Sequence, residues 1–206
     1  MPLNFRKACA EDVQAAAPMV YSAGPEAFDY MLKADGKTSL DFLNYAFANG
    51  AGFQGFRNHW VAEREGQVVG VGAFYSGHDE MRLTLGLIRQ VFAFYSFGAA
   101  LGVIKRALEL APMMKPLTKD MLYVANFGVN PECRGQGVGA AMLNFQMAEA
   151  RKQNFKRYAL DVAVTNPRAQ KLYEGIGLKF VREVAFQGDR NRSPVPDNRR
   201  LEMVLN

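Results

Sequence analysis

The chain has 206 residues, 49% of them hydrophobic and 22% charged, which suits a soluble globular protein of one domain, residues 1–206, with a sizeable core. Its net charge of +5 favours anionic ligands. Two distant cysteines, Cys9 and Cys133, exclude a disulfide framework and point to a reducing, cytoplasmic setting.

The opening MPLNFRKACAEDVQ lacks the layout of a secretion signal and reads as a cytosolic start. Asn4 to Lys7 suits a short strand, and Glu11 to Tyr21 a helix with acids at its start, where the dipole favours them. Gly24-Pro25 breaks that helix. Behind Thr38-Ser39, Asp41 to Ala48 is helical by the spacing of Leu40, Leu43 and Phe47. Residues 49–55 form a loop. Trp60 to Ala62 and Val68 to Tyr75 pair as a hairpin about Glu65-Gly66-Gln67.

Residues 81–110 are rich in Leu, Phe and Gly, but Arg89-Gln90 interrupts them, which argues against a membrane span. They read as helical, packed on the body or presenting a partner-binding face, and Pro112 and Pro116 end them. Strand Leu122 to Val129, helix Gly137 to Gln153 and strand Tyr158 to Val164 follow. Asn166 caps a helix that starts at Pro167 and ends at Gly175 and Gly177. Strands Lys179 to Phe186 and Arg199 to Leu205 complete a mixed α/β chain. Arg190, Arg192, Arg199 and Arg200 are diluted by Asp189 and Asp197; they read as a solvated basic loop, not a nucleic-acid surface.

The chemistry concentrates in PECRGQGVGAAML, Pro131 to Leu143. A strand, an arginine, alternating glycines and a helix start make an anion cradle: helix-start amides lack partners, the dipole adds positive charge, and Arg134 supplies a fork of donors. A nucleotide P-loop fails, because Ala140-Ala141 stands where Lys-Ser/Thr is required. A dinucleotide fingerprint is present at Gly135, Gly137 and Ala140, with Asp161 near the ribose position. Asn130 to Arg134, however, separate that fingerprint from its strand. A glycine-rich turn without a ligand is the bland alternative.

VNPECRGQGVGAAML resembles the acetyl-coenzyme A loop of the GNAT N-acetyltransferase superfamily, through Arg134, Gly137 and Gly139 after Val129 and Pro131. TNPRAQKLYEGIGL resembles the family's second element through Asn166, Ala169, Leu172, Tyr173 and Gly177, with Leu178 in place of a phenylalanine. The resemblance implies a GNAT-like acyl-CoA N-acyltransferase fold, with residues 81–119 as a helical insertion, and acetyl-CoA as co-substrate. It implies that Arg134, Gly135, Gln136, Gly137, Val138, Gly139 and Ala140 hold the pyrophosphate. Phe127 and Val129 would meet the pantetheine arm by their backbones, the Val129 amide would polarise the thioester carbonyl, and Asn166 and Ala169 would complete the cofactor side.

The implied reaction is direct transfer of acetyl to a primary amine of a small molecule, amino acid or protein N-terminus. The resemblance makes Tyr173 the general acid, with a core tyrosine as its bland reading. Asp161, in Leu160-Asp161-Val162, is the candidate base or else a structural carboxylate. Asn126, the most polar side chain on its strand, would order water. His59 and His78 are outlying candidates for the base. Cys133 reads as a loop residue, and no metal site is expected. The aromatic insertion suits an acceptor pocket, a homodimer contact or core packing. A non-catalytic acyl-CoA-binding sensor is the alternative function.

Overall fold

The computed structural model describes residues 2–114 and 116–205; Lys115, inside the expected insertion, and the two end residues lie outside the described residues. Among the described residues, seven strands form one mixed sheet in the order β1-β2-β3-β4-β5-β7-β6. They are β1 Asn4–Lys7, β2 His59–Arg64, β3 Gln67–Tyr75, β4 Met121–Val129, β5 Arg157–Ala163, β6 Lys179–Val184 and β7 Asn198–Val204. Every neighbouring pair is antiparallel except β4 and β5. A parallel pair needs a crossover, and α6 (Val138–Lys152) supplies it.

Before the hairpin come α1 (Val13–Tyr21), α2 (Pro25–Leu32) and α3 (Ser39–Asn49). Helix α2 was not expected, because Pro25 reads as a breaker. It is also a good first helical residue, with φ already set and no amide to satisfy. At the start of α3, Thr38 and Asp41 make a reciprocal capping box, and the helix ends at Gly50 in a left-handed conformation. Helices α1 to α3 build one core; α6 and α7 (Pro167–Gly175) build a second around Leu122, Val124, Leu160 and Leu201.

The expected insertion is two helices, α4 (Glu80–Phe94) and α5 (Phe97–Leu110), not one run. No glycine or proline marks the break. Tertiary anchors make it: the Tyr95 hydroxyl donates to the Leu32 carbonyl at 2.6 Å, and the Ser96 amide to Asp35 at 2.9 Å. The pair packs on the helical layer through Leu87, Val91, Ala100 and Val103. Its outer face leaves Met81, Leu85, Phe92, Phe97, Leu101 and Leu108 exposed. Among the described residues, no helix is long and apolar enough to cross a membrane.

The reading of a solvated arginine loop holds for Arg190 and Arg192, which are exposed, and is corrected for Arg200. Arg190 and Arg192 donate to backbone carbonyls of Val195 and Lys33, and Arg199 pairs with Glu183. Arg200 is completely buried. Its guanidinium grips Asp161 through two bonds of 3.0 and 2.9 Å, and donates to the Met114 carbonyl at 2.7 Å and the Pro116 carbonyl at 3.3 Å. One side chain thus ties the end of the insertion to β5. Strand periodicity places it inside: it opposes Asp161 across the β5–β7 pair.

His59 opens β2 and is also fully buried. Its Nδ1–H donates to the Gly55 carbonyl at 2.8 Å, and the Phe47 ring lies 5.2 Å away. Burial pushes its pKa down from 6.5 to about 4.

Two outcomes are expected. Arg200→Met strands a buried carboxylate and lowers the unfolding free energy by about 3–5 kcal/mol in urea titrations, while Arg200→Met with Asp161→Leu recovers most of that loss. The unfolded chain protonates His59 first, so its stabilisation is complete above pH 6.5 and is lost as pH falls toward 4. The unfolding free energy should fall by about 3 kcal/mol from this group across that window, and His59→Gln should remove that share of the pH dependence.

Candidate active site

Strands β4 and β5 begin as a regular parallel pair. Met121 to Val124 lie opposite Arg157 to Leu160, and the pairing then stops although both strands continue. The cause lies on the other edge of β4. Between Val71 and Ala73 of β3 the register skips, with Gly128 and Ala125 as the partners, so β4 carries an extra residue. Asn126 sits in that bulge with φ of 52°, a left-handed conformation that asparagine tolerates better than most residues. The strand bends away from β5 and a cleft of about 60 Å³ opens, lined by Asn126, Phe127, Leu160, Asp161, Tyr173 and Ala23.

Peptide groups past the bulge are left facing this gap. The Asn130 amide donates to the Val69 carbonyl at 3.0 Å, toward β3. Successive peptide groups of a strand alternate in direction, so those of Val129 and Phe127 face the open side. There the Val129 carbonyl accepts from Arg134 Nε at 3.2 Å.

The glycine loop turns the chain from β4 into α6. Gly135 and Gly137 have φ of 80° and 79°, which glycine alone adopts without strain. Gly137 caps α6, whose ladder opens with the Ala141 amide on the Gly137 carbonyl at 2.9 Å. The amides of Val138, Gly139 and Ala140 therefore lack helical partners. Gly139 serves a close approach: a Cβ there would lie 3.3 Å from Leu172 of α7 and 3.5 Å from the Phe127 ring.

Two arginines at this loop were missed by sequence reasoning. Arg168, in the first turn of α7, brings its guanidinium to within 3.6 Å of where a Gly135 Cβ would stand. Arg64, at the end of β2, donates to Gln136 at 2.5 Å, and Gln136 in turn donates to the Glu132 carbonyl at 2.9 Å. Neither is near the loop in sequence, so nothing short of the sheet order and the start of α7 identifies them.

Helix α7 brings Tyr173 to the cleft. Asn166 caps it, accepting the Ala169 amide at 3.1 Å, so that oxygen is committed to the helix; Ala169 and Leu172 pack on the second core. Leu178, at the position of the family's phenylalanine, is buried in the same core. Tyr173 is 8% exposed, and desolvation pushes its phenol up to about 12.

Asp161 lies on the opposite face of β5 from Leu160. Both its oxygens take bonds from Arg200, and one also accepts the Tyr123 hydroxyl at 2.8 Å. Asn126 Nδ2 donates to the Phe53 carbonyl at 3.2 Å and lies 3.4 Å from His59 Nε2. His78 lies outside the cleft lining, near the start of α4, with its amide on Ser76 Oγ. Cys9 and Cys133 are free thiols.

The model of the Acetyltransferase (GNAT) family matches residues 30–178, more than half of the chain. Among solved structures, one described only as an acetyltransferase superposes with a TM-score of 0.70 at 21% identity, covering 98% of this chain and 100% of the other. An N-acetyltransferase from Staphylococcus aureus Mu50 gives 0.67 at 20%, covering 97% and 100%. The putative acetyltransferase yncA from Salmonella typhimurium, solved with its cofactor acetyl-CoA, gives 0.59 at 15%, covering 100% and 95%. No curated protein matches the chain by sequence. The bulged β4, the cleft beside it and the glycine loop stand on a fold shared with these enzymes, and the chain belongs to the GNAT acetyltransferase family.

Proposed function

We propose that the chain, acting as one domain, transfers the acetyl group of acetyl-CoA to a primary amine by direct attack. The observation that carries this reading is the coincidence of three features at one edge of β4: unpaired peptide groups, the cleft and the Tyr173 phenol. The family gives acyl transfer from acetyl-CoA. The amine class, whether small molecule, amino acid or protein N-terminus, is the further step.

The residues fit the co-substrate on geometry. The glycine loop offers the amides of Val138 to Ala140 to a pyrophosphate, and Arg134 and Arg168 supply cations beside it. Gly135, Gln136 and Gly137 shape the turn, with Arg64 bracing Gln136. Phe127 and Val129 present the backbone groups that a pantetheine arm requires. Asn166 and Ala169 act through α7, by capping and packing it.

Acetyl-CoA supplies an acetyl group activated as a thioester. The Val129 amide, on the open side of β4, would stabilise negative charge on the carbonyl oxygen. Tyr173, which keeps its proton throughout the neutral range, returns a proton to the departing sulfur. The amine must attack in its neutral form, and an α-amine near ~8 meets that need more readily than a lysine-type amine near ~10.4.

Of the two roles open to Asp161, base or structural carboxylate, the geometry supports the second. Both its oxygens are engaged by Arg200 and one also by Tyr123, which suits it to hold the wall of the cleft. The proton of the amine then leaves through solvent ordered at Asn126. The exposed face of α4 and α5 is where the homodimer contact would form, rather than an acceptor pocket, because Phe92 and Phe97 face outward while Phe94 and Tyr95 are spent on core packing.

Tyr173→Phe tests the acid. Acetyl transfer to an amine panel, followed by thiol release, is expected to slow by about 100-fold or more. The dissociation constant of acetyl-CoA, measured by calorimetry, should change less than twofold. Unchanged turnover would remove Tyr173 from the mechanism.

A further inference from the structure

Asn126 is a two-ended group held at one end. Its Nδ2 donates to the Phe53 carbonyl at 3.2 Å, and a carbonyl only accepts, so that contact fixes which end of the amide is nitrogen. Nδ2 also lies 3.4 Å from His59 Nε2. The His59 ring is oriented in turn, because its Nδ1–H is spent on the Gly55 carbonyl at 2.8 Å. Nε2 is therefore the unprotonated nitrogen, with its lone pair toward Asn126. A flipped amide would set its oxygen against both the Phe53 carbonyl and that lone pair. One orientation is left, and in it Oδ1 has no partner among the described residues while Asn126 lines the cleft.

The surroundings sharpen the point. Ala23, Val124, Ala125, Phe127 and Leu160, also on the cleft wall, carry no side-chain acceptor, the Asp161 oxygens already take bonds from Arg200 and Tyr123, and the Tyr173 hydroxyl is the proton donor assigned to the sulfur. An incoming amine has two N–H groups to satisfy and a lone pair to aim. An acceptor at the bulge receives one N–H and so directs the lone pair.

Resting on acetyl transfer as proposed above, we propose that His59 is a positioning residue: through Asn126 it presents Oδ1 to the cleft, where that oxygen receives an N–H of the acceptor amine. His59 does not take the proton itself. It sits behind Asn126, fully buried, and acts on orientation.

A double-mutant cycle tests this. His59→Leu, Asn126→Ala and the combination are compared with the parent, using glycinamide, spermidine and an alanine-led tripeptide as probe amines. Acetyl-CoA affinity is followed separately by calorimetry. His59→Leu is expected to lower kcat/KM for the amine by about 10-fold or more, as loss of one oriented hydrogen bond would, with acetyl-CoA affinity within about twofold. In the Asn126→Ala background the same change should cost nothing further, because the path is already cut. His59→Gln, which offers the Gly55 carbonyl a donor and Asn126 an acceptor, should restore most of the activity. An equal loss in both backgrounds would overturn the proposal, since a general packing defect persists without Asn126.

Long-range proton–nitrogen NMR of the two imidazoles gives a readout independent of turnover. At pH 7 the His59 proton should reside on Nδ1, and Asn126→Ala should shift the Nε2 resonance. A proton on Nε2, or an Nε2 resonance indifferent to Asn126→Ala, would overturn the proposal even if no probe amine is acetylated. Failure to acetylate any probe, with the Nδ1 proton and the Nε2 shift as expected, would count against amine transfer and leave the His59–Asn126 link standing.

Discussion

Everything at this site depends on β4 being one residue too long for its partner. A regular strand would stay paired with β5 along its full length, and its peptide groups would be consumed by the ladder. The extra residue at Asn126, turned to φ of 52°, ends the pairing after Val124 and Leu160. Hydrogen bonds that would have joined two strands are left for a ligand. Bent backbone is costly, and the surroundings hold it: His59 and the Phe53 carbonyl fix the Asn126 side chain on one side of the bulge, while β3 resumes its pairing at Gly128.

Charge is distributed to match. The permanent cations stand at the glycine loop, where Arg134 comes from the loop itself, Arg168 from α7 and Arg64 from the hairpin. In the cleft and behind its wall the groups are neutral or neutralised. Tyr173 keeps its proton, His59 is uncharged because burial disfavours its cation, and Asp161 is cancelled by Arg200. In the proposed complex a diphosphate would meet positive charge at the mouth. The atoms of the proposed transfer would meet a cleft whose side chains carry no net charge.

Much of this was legible in the sequence, and the reason is local. The strand, the loop and α6 lie within one continuous stretch, and so do the Asn166 cap, α7 and Tyr173; spacing alone brings their parts together. What stayed hidden is assembled from distant pieces. Arg64 and Arg168 reach the loop only because of the sheet order and the start of α7. His59 meets Asn126 from 67 residues away, and the pattern around it shows nothing more than a strand beginning. Arg200 read as part of a polar loop because its partner, Asp161, stands on another strand. The break at Tyr95 left no composition signal, because contacts with Leu32 and Asp35 impose it. Pro25 misled for a different reason: one residue both stops helices and starts them.

The central claim is that the Phe127 and Val129 peptide groups, released from the sheet by the bulge, bind the arm of acetyl-CoA. Residue-resolved amide hydrogen exchange, with and without saturating acetyl-CoA, tests it directly. The account requires the Phe127 and Val129 amides to exchange readily in the free protein and to become strongly protected in the complex, together with those of Val138 to Ala140. Saturation of the protein with acetyl-CoA while both β4 amides exchange at their unliganded rates would contradict it.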